Sequence, residues 1–233
     1  MKSVIEIKKV SKKYGKVSAL SDVSIELGHG IYALLGPNGS GKTTLMNILA
    51  GILKPTEGEV IYHGQDIRKC GLEYRSKVGY MPQYPAMYPT FSVKEFLLYL
   101  AELKALPKER EGDIDYLLSR VELSDVWDRK ISALSGGMKQ RLSLCSAVLG
   151  DPEVLILDEP AAGLDPKQRV ALREFISEIS ENKTVIWATH IVSDVESIAD
   201  SIIFMKKGVS TVVEPDAARS LEERYLSFFG DLI

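Results

Sequence analysis

The chain has 233 residues, of which 45% are hydrophobic, 26% charged and 8% aromatic, which is enough apolar material for a substantial core and excludes disorder as the main state. Its 29 Lys and Arg against 32 Asp and Glu leave a net charge of −3, so the global basic signature of a nucleic-acid binder is missing and no nucleic-acid partner is expected. No run approaches the roughly 18 apolar residues of a membrane span, and Met1-Lys2-Ser3-Val4-Ile5-Glu6-Ile7-Lys8 is too charged for a secretory leader; a cytoplasmic chain that does not itself cross a membrane is expected.

At the N-terminus, residues 4–10 and 23–27 alternate, with Ile5 and Ile7, or Val23, Ile25 and Leu27, on one face, as half-buried antiparallel strands do. Ile31-Tyr32-Ala33-Leu34-Leu35 is instead a nearly continuous apolar run, the pattern of a strand covered on both faces. It leads into Gly36-Pro37-Asn38-Gly39-Ser40-Gly41-Lys42-Thr43, which matches G-x-x-x-x-G-K-[ST], and then into a helix expected from Thr44 to Ala50 and closed at Gly51. The glycines let backbone N–H groups turn towards phosphate oxygens, and the helix N-terminus adds a favourable dipole. Lys42 reaches the β- and γ-phosphates, the Thr43 hydroxyl can ligate Mg²⁺, and Thr44 can add a second hydroxyl to the phosphates. Nucleotide binding follows, but a P-loop alone leaves kinase, GTPase, helicase and transport ATPase open.

Between about 84 and 150 the pattern turns helical. Ser92-Val93-Lys94-Glu95 is a capping box before Phe96, Leu97, Leu100 and Leu103 at helical spacing, and further helical patterns run through Tyr116-Leu117-Leu118 and Leu142 to Leu149 before Asp151-Pro152. Within this stretch Leu134-Ser135-Gly136-Gly137-Met138-Lys139-Gln140-Arg141 opens the last helix with a serine and two glycines, a second helix N-terminus able to hold an anion. The buried run Val154-Leu155-Ile156-Leu157 then ends in Asp158-Glu159-Pro160. There Asp158 is placed to hold Mg²⁺ through water, and Glu159 to orient and polarise an attacking water. Adjacent strand-end acids suit phosphoryl transfer, whereas a glycosidase pair would face each other across about 5 to 9 Å. A third apolar run, Thr184-Val185-Ile186-Trp187-Ala188, leads to Thr189-His190.

Three apolar runs, each followed by a polar segment and a helix, give the βα rhythm of a mostly parallel sheet. The expected fold is α/β: a P-loop NTPase (RecA-like) core with an N-terminal antiparallel β subdomain and an inserted all-helical subdomain. The chain is expected to be one domain, residues 1–83 and 151–214 forming the core, 84–150 the helical insertion and 215–233 a short tail. Cys70 and Cys145 stand in no C-x-x-C and read as ordinary thiols, and His29 and His63 as loop residues.

Taken together and in order, these motifs resemble the nucleotide-binding subunit of ABC transporters, from Val4 to about Gly208. Leu134 to Met138 is similar to the ABC signature, Gln83 after Val78-Gly79-Tyr80-Met81-Pro82 to the Q-loop glutamine, and Ala162-Gly163-Leu164-Asp165 to the D-loop. Thr189-His190 resembles the switch histidine, and Tyr14 in Lys13-Tyr14-Gly15 the aromatic that stacks on adenine. The resemblance implies ATP and Mg²⁺ held between two such domains arranged head to tail. The P-loop of one would hold the phosphates while Ser135, Gly136 and Gly137 of the other contact the γ-phosphate. Gln83 would sense γ-phosphate, Mg²⁺ or water and relay the state to the helical insertion, and His190 would contact the γ-phosphate. The implied catalytic set is therefore Glu159, His190, Gln83 and Lys42, and the implied metal set Thr43, Gln83 and Asp158. Ala162 stands where many relatives have serine, which puts one interchain hydrogen bond in doubt; Asp158, Glu159 and His190 match the competent pattern, so a homodimer with two active sites is expected.

The aromatic, proline-rich segment Tyr84-Pro85-Ala86-Met87-Tyr88-Pro89-Thr90-Phe91 reads either as a packed hinge or, as the resemblance implies, as a cleft receiving a short helix from a separate membrane permease. That permease would hold the chain peripherally on the cytoplasmic face. The short stretch after Gly208 and the sequence from His190 to Glu196 look more like exporters of drugs, peptides or lipids than like importers carrying a regulatory domain. A soluble ABC ATPase is the alternative, but it would call for coiled-coil arms, tandem domains or basic extensions. A P-loop kinase or GTPase is disfavoured by the signature helix, and Asn182-Lys183-Thr184-Val185 lacks the aspartate of a guanine-reading sequence.

Overall fold

The structure, a computed structural model, describes residues 3–107, 111–214 and 219–230. Strands β1 (Ile5–Tyr14) and β2 (Val17–Leu27) form a long antiparallel hairpin. β3 (Gly30–Leu35) then leads through the glycine-rich loop into helix α1 (Lys42–Leu49), which begins two residues before the expected start and ends one residue before the expected end, with Ala50 as C-cap and Gly51 left-handed behind it. Next come β4 (Glu57–Tyr62), β5 (Gln65–Asp66), the short helices α2 (Ile67–Cys70) and α3 (Leu72–Lys77), and β6 (Val78–Met81). Three longer helices follow, α4 (Val93–Leu103), α5 (Glu111–Arg120) and α6 (Gly136–Val148), and the capping box expected at Ser92 and Glu95 is formed at the start of α4. The chain closes with β7 (Val154–Asp158), α7 (Pro166–Ile179), β8 (Thr184–Thr189), β9 (Ser201–Lys206), β10 (Val209–Val213) and α8 (Leu221–Phe229).

Two sheets result. The smaller is antiparallel in the order β2-β1-β4-β5; the larger runs β10-β9-β3-β8-β7-β6 and is parallel except for β10, which returns antiparallel along β9. Every residue of β7 and β8 is buried, which is why both read as unbroken apolar runs. Their side chains alternate between two cores. Leu155, Leu157, Val185 and Trp187 join α4 to α8 on one face, while Val154, Ile156, Ile186 and Ala188 join α1 and the small sheet on the other. At about 1.5 to 3 kcal/mol for each fully buried aliphatic side chain, these two layers hold the strand ends of β3, β7 and β8 in fixed register, and the glycine-rich loop, the acidic pair and Thr189 all lie at those ends.

Helix α6 packs on β6 and β7 as well as on α4 and α5. The contact with β6 is close: a Cβ at Gly79 would collide with the Ala147 carbonyl, so only glycine lets the backbones meet there. α8 was not foreseen in the tail. It is opened by a Ser220/Glu223 capping box and lays Tyr225, Phe228 and Phe229 on Phe204 of β9, with ring centroids 5.1–5.9 Å apart. Of the expected tail at 215–233, residues 215–218 and 231–233 lie outside the described residues, as do Met1 and Lys2 at the start and 108–110 within the helical stretch. Among the described residues no helix is long and apolar enough to cross a membrane.

Candidate active site

The glycine-rich loop is shaped by its surroundings. A Cβ at Gly36 would strike the Met205 carbonyl and the Ser40 hydroxyl; Gly41 has φ 109° and a Cβ there would stand 2.6 Å from the Ala19 carbonyl oxygen. Gly41 is also the N-cap of α1 and supplies no side-chain cap, so the first-turn N–H groups keep their capacity for an anion. The Lys42 ammonium folds back over the loop, donating to Gly36 O at 2.6 Å and Pro37 O at 3.3 Å, with Glu159 Oε1 at 3.8 Å. Burial lowers its pKa below the ordinary lysine value, and the Glu159 and Asp158 carboxylates pull the other way. The loop from Asn38 to Thr44 lines a cleft of about 500 Å³ together with Gln83, Tyr84, Asp158, Glu159 and residues 17–19 of β2.

Asp158 and Glu159 meet this cleft in different states. Asp158 is fully buried and, among the described residues, neither carboxylate oxygen has a hydrogen-bond partner. Burial raises its pKa; the Thr43 hydroxyl, close without meeting hydrogen-bond geometry, opposes the rise, Glu159 adds to it and Lys42 opposes it. A buried carboxylate with both oxygens unpartnered, beside a hydroxyl, fits a hard cation. Among the described residues no three His, Cys, Asp or Glu side chains cluster as a metal set, which suits Mg²⁺ held by one or two protein oxygens plus substrate phosphates. Among the described residues the buried Ser40 hydroxyl is also unpartnered.

Glu159 adopts φ 52°, the left-handed region, and its N–H donates to Ala188 O at 2.9 Å. Its carboxylate accepts from His190 Nδ1 at 2.9 Å and from the Thr189 hydroxyl at 3.2 Å. Glu159, Lys42 and His190 are thus brought together. Sequence reasoning missed the layer behind them. Asp194, 2% exposed, accepts from Arg169 Nη1 at 3.0 Å, and the Thr189 hydroxyl is 3.5 Å from its Oδ2. With one proton to donate, Thr189 serves Glu159 or Asp194 but not both. Burial pushes the Asp194 carboxyl up, and Arg169 opposes this. Gln140 of α6, also unforeseen, donates to Glu159 O at 2.9 Å and to Pro160 O at 3.4 Å.

Other expected residues lie away from this cluster. Tyr14 is half-exposed at the tip of the β1–β2 hairpin, with Lys12 Nζ 5.4 Å from its ring centroid, and does not line the cleft. Ser135 caps α6 by accepting from Met138 N–H at 3.3 Å. Ser135 and Gly136 are exposed, they do not line the cleft, and a Cβ at Gly136 would meet nothing within 4 Å. In the segment after Gln83, Tyr84 is 85% exposed, whereas Tyr88 stacks on Phe91 and both set an edge against Tyr99. The segment is therefore packed at its far end and free at its near end.

Residues 20–162 match the family described as ABC transporter. This chain belongs to the ABC transporter family. It is 38% identical over 207 residues to the uncharacterized ABC transporter ATP-binding protein YxlF of Bacillus subtilis, covering 88% of this chain and 68% of that protein. It is 35% identical to the lantibiotic transport ATP-binding protein SrtF of Streptococcus pyogenes, covering 95% of this chain and 96% of SrtF. It is 36% identical to the sulfate/thiosulfate import ATP-binding protein CysA of Pectobacterium atrosepticum, where 88% of this chain spans 64% of CysA. Among solved structures, an ATP binding subunit of an ABC transporter superposes with a TM-score of 0.89 at 28% identity over 97% of this chain and 99% of that one. A dimeric bacterial ABC transporter cassette superposes at 0.83 and 27%, over 91% and 100%. The expected P-loop NTPase fold is therefore that of an ABC cassette, a nucleotide-binding ATPase of a transport family whose ATP-binding subunits work with membrane permeases. Relatives named for import and for lantibiotic transport both occur, so membership does not carry a direction of transport.

Proposed function

We propose that this ABC cassette hydrolyses Mg²⁺-ATP as a head-to-tail pair of identical chains, and that the pair drives a separate membrane permease in the export direction from the cytoplasmic face. The observation that carries the paired reading is the second glycine-opened helix end: exposed, outside the chain's own cleft, and with open space over Gly136. Packing inside the chain requires no glycine there, whereas a phosphate brought by a second copy does.

In this reading the triphosphate docks on Gly36, Pro37, Asn38, Gly39, Ser40 and Gly41 and on the first-turn N–H groups of α1, with the Thr43 and Thr44 hydroxyls beside it. Lys42 exchanges the Gly36 and Pro37 carbonyls for the β- and γ-phosphates, and the exchange draws it off Glu159. Asp158, Thr43 and Gln83 would hold Mg²⁺, which offsets the charge on the phosphate oxygens when bound. Glu159, steadied by Thr189 and His190, orients the attacking water and accepts its proton. His190 faces the γ-phosphate from the other side of Glu159, and Ser135, Gly136 and Gly137 of the second copy complete the anion site. Tyr14 reaches the adenine from the hairpin tip. The body at 84–150 turns against the core at 1–83 and 151–214, and the exposed part of the Tyr84–Phe91 segment receives the permease. The export direction rests on the resemblance of His190 to Glu196 to exporter-type cassettes; SrtF, matched over 95% of this chain, is named for lantibiotic transport.

The decisive experiment is light scattering of Glu159→Gln with and without Mg²⁺-ATP. An ATP-dependent doubling of mass is expected; a variant that stays monomeric at saturating ATP would sink the paired reading. Direction is tested separately, by co-purifying the permease from detergent and following cargo in inside-out vesicles.

A further inference from the structure

Gln140 lies in the second turn of α6, buried to 8% exposure, four residues from Gly136. At 1.5 Å per residue the two positions are about 6 Å apart on one rigid element. The Gln140 amide donates to Glu159 O at 2.9 Å and Pro160 O at 3.4 Å, Ala162 N–H donates to Glu159 O at 3.1 Å, and Glu159 N–H is held by Ala188 O at 2.9 Å. The peptide that carries the catalytic carboxylate is therefore clamped between β8 of the core and α6. Its left-handed φ of 52° is a conformation that a glutamate keeps only when its surroundings over-determine it, and the Gln140 amide is one of the groups that do so.

We propose that Gln140 is a positioning residue that couples the two ATP sites of the pair. This rests on the paired reading above: the N-terminal end of α6 meets the ATP bound by the partner, while Gln140 of the same helix sets the backbone of Glu159, which acts on the ATP in this chain's own cleft. A phosphate seated on Gly136 and Gly137 fixes α6, and Gln140 passes that position to Glu159. The symmetry of the pair makes the coupling reciprocal, so each site reports its occupancy to the other.

The test compares the full chain with Gln140→Met, which keeps the length and removes the donor, and Gln140→Glu, which sets an acceptor against two carbonyls. ATPase rate is followed against ATP concentration, with melting temperature and the affinity of the monomer for a fluorescent ATP analogue alongside. For Gln140→Met we expect kcat to fall about tenfold and the Hill coefficient to drop from about 2 towards about 1, with monomer nucleotide affinity unchanged; Gln140→Glu falls further. A kcat and Hill coefficient equal to wild type, or a lower kcat with wild-type cooperativity, would overturn the link alone. Non-cooperative turnover in the wild type would overturn the paired reading and the link with it. If Gln140→Met melts below the assay temperature, Gln140→Asn, which keeps the amide but shortens its reach, carries the same test. Mixed pairs add a position-specific readout. Gln140→Met opposite Glu159→Gln is expected to keep about a tenth of single-site turnover, and Gln140→Met with Glu159→Gln in one copy opposite a wild-type copy to retain it in full. Equal rates for the two mixed pairs would refute action within the same chain.

Discussion

The glycine-opened N-termini of α1 and α6 have different surroundings. At α1 the glycines are forced: Gly36 and Gly41 have no room for a Cβ, the N-cap brings no side chain, and a lysine and two carboxylates face the loop. At α6 they are not. Ser135 supplies an ordinary cap, Gly136 opens onto empty space and Gly137 has only van der Waals contacts from 3.5 Å outward. The first end is enclosed by residues of its own chain; the second is an open surface, which the proposed pair would cover with a second body.

Substitutions at the two ends sharpen that contrast. Glu159→Gln, at the α1 end, removes the proposed proton acceptor while leaving the loop intact, so ATP binding should persist and turnover fall about a hundred- to ten-thousand-fold in a coupled phosphate-release assay. Ser135→Arg, at the open end, should cut turnover about a hundredfold by blocking the pair, with nucleotide affinity of the monomer intact; an equal loss of both would contradict action on the partner's ATP. Gly41→Ala places a methyl against the Ala19 carbonyl in a left-handed backbone, costing about 1 to 3 kcal/mol. At about 2 to 4 °C of melting temperature per kcal/mol for a chain of this size, differential scanning fluorimetry resolves the loss. Gly136→Ala is the mildest and the most telling. The chain should gain about 0.5 kcal/mol from the better helix former while paired turnover declines, and a stability loss there would remove the contrast between the two ends.

The α1 end was the most legible part of the sequence, because its residues stand in short contiguous motifs: a phosphate loop from Gly36 to Thr43 and an acid pair at Asp158 and Glu159. The doubly covered strands were equally plain in their apolar runs. Gln140, Thr189, Asp194 and Arg169 were invisible as a set, since each acts through a tertiary hydrogen bond that no local spelling announces. Asp194 carried one faint signal, its place four residues after His190. Helix α8 was missed although Ser220 and Glu223 stand in capping-box spacing, because its apolar face finds its partners, Phe204 among them, far away in the sequence. Helix α7 is the helix expected after the Val154–Leu157 run, opened by Pro166 with a capping box of Asp165 and Gln168; the helix expected after the third run is only the short turn Val192–Asp194.

The left-handed backbone at Glu159 sets a stability–activity trade-off at a single position. A glutamate at φ 52° carries a conformational cost of about 1 kcal/mol that glycine or asparagine would largely remove. A sequence optimised for folding alone would place one of those two there, and it would give up the carboxylate that faces the cleft. Consensus-style stabilisation of this cassette should therefore leave position 159 untouched, since the substitution that most improves the turn is the one that would end the proposed chemistry.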